Sequence, residues 1–111
     1  MTTVNIRRNH QKKIVYFSLE DHTGFGEAGS DMVCAVLSTA SQFAVLGLEE
    51  VVKLEDFSYA IAEGFLECEL KETLTPPERE KADVLLETMV LVLKQAEEQF
   101  PSYLKIKESE V

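Results

Sequence analysis

The sequence predicts an α+β fold of two layers, with two helices on one face of a mainly antiparallel four-stranded sheet. Three observations carry that prediction. Short segments of alternating polarity stand at both ends of the chain, and two longer stretches repeat apolar residues at helical spacing. Read in order, the elements run strand, strand, helix, strand, helix, strand, a ββαβαβ order. The 111 residues suffice for one domain, residues 1–111, that buries a single core.

Thr3 to Arg8 alternates with Val4 and Ile6 on one side, and Lys13 to Glu20 alternates with Val15, Phe17 and Leu19 on one side. The polar turn Asn9–Lys12 joins the two as a hairpin. Met32 to Lys53 is helical by period, with Val33, Val36, Leu37, Ala40, Ala44, Gly47, Leu48 and Val51 on one broad stripe. Asp31 is its expected N-cap, with Ser30 competing one residue earlier. Phe57 to Leu70 reads as one long strand, its small side (Ala60, Ala62, Gly64, Leu66, Cys68, Leu70) placed under the helices.

Thr75-Pro76-Pro77-Glu78 announces the second helix: Thr75 caps, Pro76 takes the first turn and Glu78 closes a capping box. Ala82, Leu85, Leu86, Met89, Val90, Leu93, Ala96 and Phe100 form its apolar face, and Pro101 stops it. Tyr103 to Lys107 is the last strand, with the final four residues expected to fray. The sheet face away from the helices is expected to carry Ile14, Tyr16, Tyr59, Ile61 and Phe65. A face so apolar predicts a two-fold homodimer.

A net charge of -9 argues against nucleic acid and anionic membrane as partners and favours a basic peptide or protein. The first residues lack the apolar core of a secretion signal, and no apolar run is read as long enough to span a membrane. Two cysteines in such a chain suit a reducing cytoplasm. His10, His22, Cys34 and Cys68 show no ligand-pair spacing, so no metal and no cofactor is expected.

The chemistry concentrates between Asp21 and Ser38. Cys34 falls at about the third position of the first helix if Asp31 caps it, where unpaired amides favour thiolate and can hold an oxyanion. His22 is the base within reach, and Gly24, Gly26 and Gly29 let the intervening loop fold back. Ser38, one turn beyond Cys34, shares a polar stripe with Ser41 and would floor a pocket. The plain alternative is that a helical cysteine is a small buried hydrophobe, the role assigned to Cys68. His10, in a polar turn, is given no chemistry.

At these residues the sequence resembles the ribosomal-processing cysteine protease family, Prp. The family pattern G-H-A-G, a short loop ending in Gly, then D-[IV]-V-C-A-A-V-S is matched by His22, Gly24, Gly29, Asp31, Val33, Cys34, Ala35 and Ser38. The likeness continues through Gly47-Leu48-Glu49-Glu50, Gly64-Phe65-Leu66 and Leu85 to Val90. The resemblance implies a dimeric protease that removes an N-terminal extension from a large-subunit ribosomal protein, cutting after an aromatic residue. It makes Cys34 the nucleophile and His22 the general base. Asp21 stands where the family has Gly and Thr23 where it has Ala, a carboxylate set beside the base. Met32, Val36 and Leu37 are packing changes. Two readings from other classes stand beside it: a non-catalytic dimeric assembly factor gripping a basic ribosomal tail, and a redox-responsive thiol protein.

Overall fold

The computed structural model describes residues 1–21 and 30–111, with Ser30 and Asp31 described in their backbone only. Its elements are β1 (Thr2–Arg8), β2 (Ile14–Asp21), α1 (Ser30–Leu46), β3 (Phe57–Ala62), β4 (Phe65–Leu70), α2 (Pro76–Gln99) and β5 (Leu104–Glu110), with a π-helical turn Gly47–Val51 after α1.

The sheet is five-stranded and mixed, in the order β3-β4-β2-β1-β5. It therefore departs from the expected four antiparallel strands in two ways. The stretch read as one long strand is a hairpin: Ala62 pairs with Phe65, so Glu63 and Gly64 form the turn. Gly64 takes φ +73, a left-handed conformation that glycine adopts without steric penalty. β5 pairs with β1 in parallel, because α2 carries the chain back across the sheet first. That pairing runs to Glu110, so three of the four residues expected to fray, all but Val111, are strand.

The turn between β1 and β2 is closed by Asn9, whose Oδ1 accepts from the Gln11 and Lys13 amides at 2.9 and 3.0 Å. At the other end of this hairpin, Arg7 pairs with Tyr16 and Arg8 with Ile14, leaving Val15 as an extra residue. The bulge turns Ile14 into the core with Phe17 and Leu19, where simple alternation expected Val15.

The face away from the helices is consequently not the apolar surface expected. Ile14 is in the core, and Tyr59 and Ile61 pair with the buried Cys68 and Leu66, which puts them on the helix side. Tyr16 remains on that far face among polar neighbours: its hydroxyl donates to Glu67 at 3.1 Å, Arg7 lies 4.3 Å from its ring centre, and Asn5 donates to Ser18. The sheet-face argument for a dimer falls with it.

α1 buries a narrower stripe than expected. Val33, Leu37, Ala44, Val45 and Leu48 are core, whereas Val36 and Val51 are 46% and 79% exposed. The π turn, in which the Val52 amide reaches back to the Gly47 carbonyl at 2.9 Å, adds a residue to the turn and rotates Val51 outward. At Gly47 the two helices meet closely: a Cβ there would lie 2.8 Å from Cδ1 of Leu85. By length and composition alone the 20 residues Met32–Val51 could cross a membrane, contrary to the expectation that no such run exists. In this fold they serve as a helix packed on the core. α2 starts as expected, the Glu78 amide donating to Thr75 Oγ1 at 3.3 Å and the Thr75 amide to Glu78 Oε1 at 2.9 Å.

Candidate active site

Thr2 and Asp21 are directly opposed in the β1–β2 pairing, so both side chains leave the sheet on one face. That face is the one α1 covers, and Cys34 descends onto the pair from the first turns of the helix. Its Sγ lies 3.2 Å from Asp21 Oδ2 and 3.8 Å from Thr2 Oγ1. The three side chains border a cleft of about 140 Å³. Leu19, Leu37, Ile61 and Leu66 supply its apolar wall, and Ser38, Ser41 and Gln42 its polar side along α1.

The described part of α1 runs from Ser30, with Asp31 in its first turn; the capping side chains lie outside the described residues. Cys34 is then the fifth residue of α1 and not about the third. The field of unpaired helix amides fades within the first turn, so less of it reaches this sulfur than the sequence suggested. A carboxylate is the closer influence.

Cys34 is partly exposed and Cys68 fully buried, and the two are not joined in a disulfide. Loss of solvation pushes the Cys68 thiol up to about 12, which leaves it a packing residue. Ser38 is exposed on the cleft, and its carbonyl shares the Ser41 hydroxyl with that of Leu37, at 3.1 and 2.8 Å. His22, Gly24 and Gly29 lie outside the described residues, as does the Asp31 side chain. Among the described residues no group of three or more His, Cys, Asp or Glu side chains is arranged to hold a metal ion.

Sequence reasoning did not place Thr2, Gln42 or Ile61 at this site. Thr2 is brought there by the strand pairing, Ile61 by the Glu63-Gly64 turn. An isolated Gly inside an apparent strand was the available signal for that turn.

Solved structures share this architecture. The fold superposes on SMU.848 from Streptococcus mutans with a TM-score of 0.83 at 26% identity, covering 100% of this chain and 96% of the other. It matches the S. aureus ribosomal processing protease Prp in complex with a substrate peptide with a TM-score of 0.83 at 23% identity, covering 97% and 99%. The form of that protease with a covalently linked product peptide gives 0.79 at 24% identity, covering 97% and 99%. In sequence, the ribosomal processing cysteine protease Prp of Bacillus subtilis (strain 168) is 33% identical over 108 residues, 96% of each chain. That of Staphylococcus aureus (strain Mu50) is 28% identical over 109 residues, 96% of this chain and 97% of its own.

The class these likenesses define is that of a cysteine protease. The family model for cysteine protease Prp matches residues 1–105, and the chain belongs to that family.

Proposed function

We propose that this protease removes the N-terminal extension of a large-subunit ribosomal protein, with Cys34 as nucleophile and His22 as general base. The observation that carries the reading is the placement of Cys34: a partly exposed thiol opening into a cleft with one apolar and one polar side. Relatives named for ribosomal processing support a ribosomal substrate.

The chemistry follows from the residue types. His22 takes the Cys34 proton, and the sulfur's electron pair attacks the scissile carbonyl carbon to form a C–S bond. The tetrahedral oxyanion collapses, the C–N bond breaks, and the imidazolium returns its proton to the leaving amine. Water, deprotonated by the same imidazole, then hydrolyses the thioester. The apolar wall of Leu19, Ile61 and Leu66 suits the aromatic residue expected before the cut. The net charge of -9 suits a basic substrate and disfavours nucleic acid and anionic membrane. Two cysteines without a disulfide between them suit a reducing cytoplasm.

A homodimer is part of the same proposal, on a different surface from the sheet face. Met32, Val36, Phe43 and Leu46 form an exposed apolar stripe along α1, 67%, 46%, 64% and 60% exposed. Incubation with a ribosomal protein carrying its extension tests the activity by mass spectrometry. The expected product is one shortened N-terminus; a substrate of unchanged mass contradicts the proposal.

A further inference from the structure

Asp21 bears on the reacting sulfur in a way the proposed protease chemistry does not use. Its carboxylate, when ionised, is an acceptor only, so the 3.2 Å contact with Sγ is a hydrogen bond donated by the Cys34 thiol. Donation requires the sulfur to keep its proton. A thiolate at that distance would face a like charge instead. The Asp21 backbone is also held independently of its side chain, because the Asp21 amide donates to the Gly64 carbonyl at 2.9 Å.

We propose that Asp21 is a positioning residue for Cys34, restraining the resting sulfur as a neutral thiol aimed along the cleft. The inference rests on Cys34 being the nucleophile. It alters how that nucleophile is readied: no standing thiolate awaits the substrate, and the proton leaves sulfur for the base as attack begins. The electron pair stays on sulfur, and the charge beside Asp21 exists only while it is being spent on the carbonyl carbon.

β1 presents Thr2 to the sulfur, β3 and β4 present Ile61 and Leu66, and α1 presents Ser38; Asp21 of β2 is the charged side chain in the lining among the described residues. His22, Glu27 and the Asp31 side chain, the other titratable groups of this segment, lie outside those residues and are unchanged in every variant below.

The test is the rate of Cys34 alkylation by iodoacetamide as a function of pH, followed by peptide mass spectrometry in wild type, Asp21→Asn and Thr2→Val. Asparagine keeps an acceptor oxygen and the shape but removes the charge. Thr2→Val removes the neutral partner on the other side of the sulfur, 3.8 Å away. The expected result is that Asp21→Asn reaches half-maximal labelling at lower pH and labels about tenfold faster at neutral pH, one pH unit being a factor of ten. Thr2→Val is expected to follow the wild-type profile. An Asp21→Asn profile that coincides with wild type or moves to higher pH overturns the proposal, and so does an equal shift in Thr2→Val. Thermal melts confirm that each variant is folded. Peptide cleavage by the fully alkylated enzyme is read separately: retained turnover removes Cys34 as nucleophile, whereas the labelling profiles still decide the role of Asp21.

Discussion

Asp21 and Gly64 are joined by a main-chain hydrogen bond of 2.9 Å, from the amide at the end of β2 to the carbonyl in the β3–β4 turn. One bond thus ties the carboxylate beside Cys34 to a hairpin turn that depends on glycine. A Cβ at Gly64 would meet Asp21 only at ordinary contact distance, 3.8 Å, so space is not the constraint. The constraint is φ +73. Gly64→Ala is expected to lose about 1 kcal/mol of stability, and Gly64→Asn less, since Asn tolerates that conformation better. Urea unfolding midpoints measure both. Equal stability of wild type and Gly64→Ala contradicts the turn assignment.

Cys68 gives the protein an alkaline weakness. Burial raises its thiol to about 12, while in the unfolded chain it ionises near its ordinary value of ~8.5. Between those values the folded state holds a proton that the unfolded state has released, so stability falls as pH rises. The contribution is intact below the lower value and declines by about 1.4 kcal/mol per pH unit above it, until the folded thiol also ionises. Cys68→Ala is expected to be less stable at neutral pH and to show a shallower alkaline decline. Parallel declines in denaturation measured across that window contradict this account of the thiol.

The stripe on α1 sets the expectation for assembly. Phe43 is 64% exposed at its centre, and an added charge there leaves the core untouched. Phe43→Asp is expected to halve the mass seen by light scattering while leaving the thermal transition of the protomer intact. An unchanged dimeric mass contradicts the use of this surface, and a monomeric wild type contradicts the dimer.

Where one side chain's chemistry decides local structure, the sequence was readable. Thr75, Pro76 and Glu78 fix the start of α2 with bonds that involve no distant residue. The apolar period of α2 placed Ala82, Leu86, Met89, Val90, Leu93 and Ala96 in the core, since a regular helix keeps its phase. Phase is lost where an extra residue enters. Val15 in a bulge moved Ile14 to the core, the π turn moved Val51 to solvent, and the Glu63-Gly64 turn split one apparent strand in two. None of these breaks alters composition enough to announce itself. The same holds at the site: Cys34 and Ser38 are adjacent on helical period, but Thr2 and Ile61 join them only through strand pairing across the chain.

Cys34→Ala, assayed for cleavage of a ribosomal protein bearing its N-terminal extension, tests the central assignment most directly. The account predicts a folded variant with unchanged melting and a loss of at least about a thousandfold in turnover, because no other thiol opens into the cleft among the described residues. Turnover by the folded variant at the wild-type rate contradicts it.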